Sequence, residues 1–376
     1  MKAQQKLYNW MKDAGLVTNI DNIGNVRGKL MSKKRHAKTF IIGSHFDTVI
    51  NAGKFDGPLG ILAGLDIIER LIEDKVELPF HLELVAFSDE EGVRFHTSYL
   101  GSRVLTGAFD YELLQKKDTD GITLNEVIND LGANAKQITD DAIPISDWLG
   151  YFEIHIEQGP VLDDSKEPVA IVTSIAGQKR SAVIFTGVAG HAGTVPMNMR
   201  QDALCATAEF ISKVENFAKQ KHSEIVATVG KLEISNAASN VIPGEVTCTV
   251  DLRSGNANRL NDAALAIGQL AKEIAAQRNV QLTWKTIQEN APVDCDEKLM
   301  SILAETIAST GFNTIRLVSG AGHDAVPISE VAPVAMLFVR CYKGISHNPM
   351  EDVEIKDIAA ALQVAENFIK GLALKL

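Results

Sequence analysis

The chain has 376 residues, 45% of them hydrophobic and 23% charged, and carries a formal net charge of −11. That is the balance of a globular protein with room for two domains. The acidic excess argues against a nucleic-acid or anionic-membrane partner, since either would favour a basic patch.

In chain order, MKAQQKLYNWMKDAG predicts an amphipathic helix and offers no apolar signal-peptide core. TFIIGSH predicts a buried strand, and GPLGILAGLDIIERLIED repeats apolar residues at helical spacing. FHLELVAFSDEE, YFEIHIEQ and PVAIVTSI predict further strands. This alternation implies α/β layers with functional groups at the C-terminal strand edges. Near residue 176 the character changes. KRSAVIFTGVAG, a helix over about 201–220, EIVATVGKLEIS, EVTCTVDLRS, a helix over about 258–276 and QLTWKTIQ follow in turn. That β-α-β-β-α-β order is the ferredoxin-like pattern. After Pro292 the α/β pattern resumes with a helix from Glu297, strands at TIRLVS and PVAMLFV, and a closing helix from Lys356. The expected organisation is a large α/β catalytic domain, 1–176 and 291–376, interrupted by an inserted ferredoxin-like α+β domain, 177–290. No apolar run approaches a membrane span. The four cysteines, Cys205, Cys248, Cys295 and Cys341, show no C-x-x-C pairing, so reduced thiols in the cytoplasm are expected.

Five potential metal ligands are spread along the chain: His45, Asp56, Glu91, His155 and His347. Imidazoles and carboxylates on rigid strand ends are what a hydrolytic two-metal site requires. Asp47, two residues past His45, can orient that ring. Asp56 lies in the glycine-flanked turn KFDGPLG, where it could equally cap the next helix. Glu90 and Glu91 close the strand LELVAFSD, where neighbouring side chains point to different faces. One can bind metal while Glu90 acts as general base on activated water. His155 shares its strand face with Glu153 and Glu157, of which Glu157 is a competing ligand, and Gln158 could donate to a substrate carbonyl. His347 stands in the breaker-rich turn GISHNPME.

A second polar set lies mostly in the expected insertion. His191 in GHAGTVPMNMRQD could stabilise an oxyanion. Asn240 in ASNVIPG and Arg253 in VDLRS could grip polar groups, the arginine a carboxylate bidentately. Farther on, GAGHDA, with Gly322 and His323, offers a glycine-rich turn at a helix start, suited to an anion.

Together, GSHFDTVINAGKFDG, FSDEEGVRF, HIEQGP, GHAGTVPMNMRQD, SGAGHDA and LFVRCYKGISHNP resemble the aminoacylase/carboxypeptidase-like di-metal hydrolase family, and within it the amidase–carbamoylase branch. The resemblance covers essentially the whole chain. It implies two divalent ions, manganese or zinc, with cobalt or nickel compatible with the same donors. His45, Asp56 and His155 would hold one, and Asp56, Glu91 and His347 the other, with Asp56 bridging and Glu90 as base. Peptidase members usually carry an acidic ligand where this chain has His155. The implied reaction is hydrolysis of the carbamoyl C–N bond of allantoate to ureidoglycine, ammonia and carbon dioxide. An N-carbamoyl-L-amino acid or N-carbamoyl-β-alanine is the alternative substrate, again a small anionic ureido compound. Gln158, Asn240 and Arg253 would hold the substrate. His191 would polarise its carbonyl, reaching a partner subunit's site, so that the insertion serves as lid and homodimer contact. A non-catalytic metal-dependent binding protein on the same scaffold is the competing class, and the presence of Glu90 argues against it.

Overall fold

Three apolar runs of the first half become neighbouring parallel strands. In the computed structural model, which describes residues 2–221 and 224–375, Thr39–His45 is buried at every position. It pairs in parallel with His81–Phe87 on one side and Trp148–Ile156 on the other. Trp148–Ile156 pairs in parallel with Val334–Val339, from the far end of the chain. Strands covered on both faces read as continuous rather than alternating apolar runs, as these do. Antiparallel strands flank them: Val26–Leu30 and Val17–Ile20 beyond His81–Phe87, and Val169–Ile175 beyond Val334–Val339.

The helix Pro58–Glu73 starts on a proline, whose fixed φ suits the first helical turn. It buries Leu59, Ile61, Ile67, Ile68 and Leu71. The closing helix Ile355–Lys375 sets Phe368 against Phe152 and Phe40, with ring centroids 4.6 and 6.2 Å apart. None of the described helices is long and apolar enough to cross a membrane.

The chain divides into two compact units, one running up to Thr173 and resuming at Cys295, the other Ser174–Asp294. In the second, four antiparallel strands lie in the order Gln281–Asn290, Gly177–Thr186, Glu245–Ser254, Val226–Ile234. Helices Ala203–Lys219 and Ala257–Gln277 connect them, capped by the side chains of Asp202 and Asn256. Every second residue of the central strands, including Val183, Phe185, Val246, Cys248, Val250 and Leu252, faces a core shared with Phe210, Ile267 and Ile274. This unit therefore has a core of its own.

Candidate metal centre

His45 is the last residue of its strand and His155 the second-last of the neighbouring one, so backbone pairing brings both rings to one sheet edge. They are 2% and 1% exposed. His45 Nδ1 lies 3.0 Å from the Asp47 carbonyl and 3.6 Å from its carboxylate. His155 Nδ1 lies 2.9 Å from the Ile156 carbonyl. A ring nitrogen against a carbonyl carries the proton, which leaves an unprotonated Nε2 free to ligate on each ring. Those two Nε2 atoms stand only 3.4 Å apart. Facing lone pairs at that distance require positive charge near them. Burial lowers the affinity of both rings for protons, yet Asp47 and Asp56 beside His45, and Asp56 beside His155, outweigh it and raise both pKa values.

Asp56 supplies the shared carboxylate. Its Oδ1 lies 3.2 Å from His155 Nε2 and 3.6 Å from His45 Nε2. Its Oδ2 lies 3.1 Å from His347 Nε2, which is 3.3 Å from Glu91 Oε1. Burial would raise this carboxyl, but the three histidines prevail and hold it far below the usual carboxylate range. The next helix takes Gly57 as its N-cap, so Asp56 does not cap it. Gly57 has φ 79°, and a Cβ there would fall 2.5 Å from the His45 ring, which accounts for glycine at this turn. Two donor sets share Asp56, His45–Asp56–His155 and Asp56–Glu91–His347, each with its ligand atoms within 4.8 Å of one another. Imidazole and carboxylate donors sharing one carboxylate fit a pair of divalent cations.

The expectation that Glu90 and Glu91 alternate on a strand is corrected. The strand ends at Phe87, and Asp89 at φ 57° and Gly92 at φ 64° turn the chain into a loop. Asp47 aims that loop, its Oδ1 accepting the Glu90 N–H at 3.0 Å and its Oδ2 the Glu91 N–H at 3.1 Å. Glu90 is 6% exposed. Burial pushes its carboxyl well up, His45 opposes, and the charges of Asp324, Glu91 and Asp47 add to the rise.

Several neighbours differ from expectation. Glu157 does not compete for metal, because its oxygens accept the Val161 and Leu162 N–H groups, each at 2.8 Å. Gln158 Nε2 donates to Asp56 Oδ2 at 2.8 Å, so its amide is engaged with the candidate bridge itself. In the turn expected to bind an anion, Gly320 and Gly322 are exposed and His323 is turned inward. His323 is 1% exposed, its Nε2 lies 2.7 Å from Ser319 Oγ, and its ring packs edge-on against His155 at 4.6 Å. Burial drives its pKa well below the usual imidazole value. Gly322 has no room for a Cβ beside the Tyr99 hydroxyl, and the helix that follows, Ala325–Ile328, is four residues long.

The remaining expected residues belong to the second unit. His191 is exposed, pairs with Val241 in a short ladder, and its Nδ1 accepts the Gly193 N–H at 3.0 Å. The Asn240 carbonyl accepts the Ala192 N–H at 2.9 Å, which makes these two segments neighbours. Arg253 Nε donates to Asp251 Oδ1 at 3.0 Å, and Asp251 Oδ2 also receives Arg180 and Gln178. Sequence reasoning missed Ser346 and Glu351, which flank His347. A serine and a glutamate in a polar turn carry no signal until their partners are known.

Comparison with known proteins gives the family. The model of peptidase family M20/M25/M40 matches residues 41–371. Allantoate deiminase 1 of Glycine max is 37% identical over 411 residues, covering 99% of this chain and 83% of that one. The N-carbamoyl-L-amino acid amidohydrolase of Geobacillus stearothermophilus is 37% identical over 372 residues, covering 99% and 91%. A crystal structure of an amidase of the hydantoinase/carbamoylase family from Burkholderia multivorans superimposes with a TM-score of 0.91 at 33% identity, covering 97% of this chain and 88% of that one. The chain therefore belongs to peptidase family M20/M25/M40, a family of di-metal hydrolases.

Proposed function

We propose that this hydrolase cleaves the carbamoyl C–N bond of allantoate, yielding ureidoglycine, ammonia and carbon dioxide. The observation that carries the reading is Asp56, whose two carboxylate oxygens face different histidines while buried Glu90 stands on the loop beside them. The likeness to a plant allantoate deiminase over 99% of the chain favours the substrate. His45, Asp56 and His155 would hold one divalent ion, and Asp56, Glu91 and His347 a second. Manganese or zinc is the expected metal, and cobalt or nickel suits the same donors. When bound, the ions supply Lewis acidity toward a carbonyl oxygen and make a water acidic near neutral pH.

The protein's own groups do the rest. Glu90 accepts the water proton on its carboxylate and delivers it to the leaving nitrogen. A carboxyl whose pKa is raised by burial is suited to both steps. Asp47 holds the Glu90 backbone, and through it the direction of that transfer. We assign substrate contacts to Gln158, Asn240 and Arg253, and polarisation of the scissile carbonyl to His191. An amide pair, a guanidinium and an exposed imidazole match a ureido acid chemically. On the same reading the unit Ser174–Asp294 acts as lid and homodimer contact. The four free thiols suit a cytoplasmic protein.

A second reading, N-carbamoyl-L-amino acid or N-carbamoyl-β-alanine hydrolysis, uses the same groups. It is favoured by the equal identity to the Geobacillus enzyme. Ammonia release by metal-stripped protein reloaded with manganese decides between them. Allantoate is expected to be turned over fastest. A preference for a carbamoyl amino acid replaces the substrate but keeps the site, and no release from any ureido acid overturns the function.

A further inference from the structure

The two donor sets are built differently. His45 and His155 lie on buried strands and are fixed by packing. His347 has a 48% exposed side chain and sits at φ 53°, a left-handed conformation uncommon for a residue with a Cβ. Lys343 and Gly344, just before it, also have positive φ. Packing does not hold such a ring in place.

A chain of hydrogen bonds around it does. Glu351 is 2% exposed, although it follows a polar turn. Its Oε1 accepts the Phe55 N–H at 2.8 Å and the Asp56 N–H at 3.1 Å. Its Oε2 lies 3.0 Å from Ser346 Oγ, which is also 3.0 Å from Asp56 Oδ2. The Ser346 hydroxyl has a single proton, so it serves one carboxylate at a time. With Glu351 as the alternative acceptor, Asp56 Oδ2 can turn to a cation without stranding the serine. Gln158 Nε2 completes the knot, 3.3 Å from Ser346 Oγ. Gly53 makes room for this arrangement, since a Cβ there would overlap the Glu351 carboxyl. The loop bearing Asp56 and the turn bearing His347 lie about 290 residues apart in sequence. Glu351 bonds to the first through two backbone amides and to the second through Ser346.

We infer that Glu351, bonded to the Asp56 loop directly and to the His347 turn through Ser346, is the positioning residue of the second donor set: it holds Asp56 and His347 at the separation a shared cation site requires, while the first set, which shares Asp56 but keeps His45 and His155 fixed by packing, depends on it less. The inference rests on the two-ion reading above.

The test is metal uptake, not turnover. Metal-stripped full-length protein is titrated with Mn²⁺, and free Mn²⁺ is followed by its room-temperature electron paramagnetic resonance signal. Wild-type protein is expected to take up two ions. Glu351→Ala is expected to bind one ion about 10–100-fold more weakly, the usual cost of losing a partner behind a metal ligand, and to lose distinctly less at the other, whose two histidines are held by packing. Glu351→Gln is expected to fall between alanine and wild type: its amide oxygen can still accept from Phe55 and Asp56, but its NH₂ cannot take the Ser346 hydroxyl proton. Unchanged uptake by Glu351→Ala, equal loss of both ions, or a glutamine variant no better than alanine overturns the inference. Should Glu351→Ala fail to fold by circular dichroism, Ser346→Ala carries the same test. It must weaken one ion more than the other, and equal effects on both ions overturn the inference. Wild-type protein that binds fewer than two ions overturns the two-ion reading itself, and this inference with it.

Discussion

Asp47 reaches from the end of one strand to receive the Glu90 backbone N–H at 3.0 Å. The same side chain accepts from Glu91, and its backbone carbonyl faces the His45 ring. One short loop thus links a candidate ligand histidine, a candidate ligand glutamate and the candidate base.

Replacing Asp47 should therefore disturb all three. Asp47→Ala is expected to lower kcat on the order of 100-fold, the scale on which small misplacements act. Asp47→Asn, which keeps one acceptor oxygen, should lose less. Steady-state kinetics with metal content measured in parallel checks this, and wild-type kcat in the alanine variant would remove Asp47 from the mechanism.

Glu90→Gln separates base from ligand. Both ions should remain, because Glu90 belongs to neither donor set. Turnover should fall by about 10²–10⁴-fold. Full activity in this variant sinks the assignment.

His191→Ala is expected to reduce kcat by about 10²–10³-fold, the usual loss for one oxyanion donor, with the thermal midpoint unchanged. Mixing it with Glu90→Gln protein should recover part of the activity if a subunit lends His191 to its partner. No recovery after proven subunit exchange contradicts sharing.

Arg340 and Asp357 test stability away from the chemistry. They form a buried two-pronged pair at 2.8 and 2.9 Å. Asp357→Ala strands the guanidinium and should cost about 3–5 kcal/mol. A urea midpoint equal to that of wild type would contradict this.

Asp21 carries a pH prediction. Burial raises its carboxyl to about 7, although the Asn25 side chain opposes the rise. Between roughly pH 4 and 7 the folded chain then binds a proton that the unfolded chain lacks, so the contribution of Asp21 to stability falls as pH rises through that window. Asp21→Asn should show a shallower decline in unfolding free energy across that range. Slopes identical to wild type would count against the shift.

Much of the scaffold was legible because its signals are local. Continuous apolar runs such as TFIIGSH and PVAMLFV gave strands within a residue or so of expectation, and GPLGILAGLDIIERLIED gave its helix. The character of the chain near residue 176 shifts to alternating strands, whose period of two reflects a sheet covered on one face only. The imidazoles and carboxylates could be nominated from residue type and strand-end position. The apolar pattern places Glu90 and Glu91 on the strand end rather than on the loop that carries them, since the positive φ of Asp89 is invisible in such a pattern.

Periodicity and residue chemistry act over a few residues, so the elements, their order and the inventory of donors are legible from the chain alone. Who bonds to whom emerges on folding: that Glu157 accepts the Val161 and Leu162 amides, that Gln158 faces Asp56, that His323 is buried behind His155, and that Glu351 ties the Asp56 loop to the His347 turn. The reason is physical. A polar side chain's role is set by the donors and acceptors it meets once water is excluded, and for Glu351 two of those partners, the Phe55 and Asp56 amides, lie about 295 residues away.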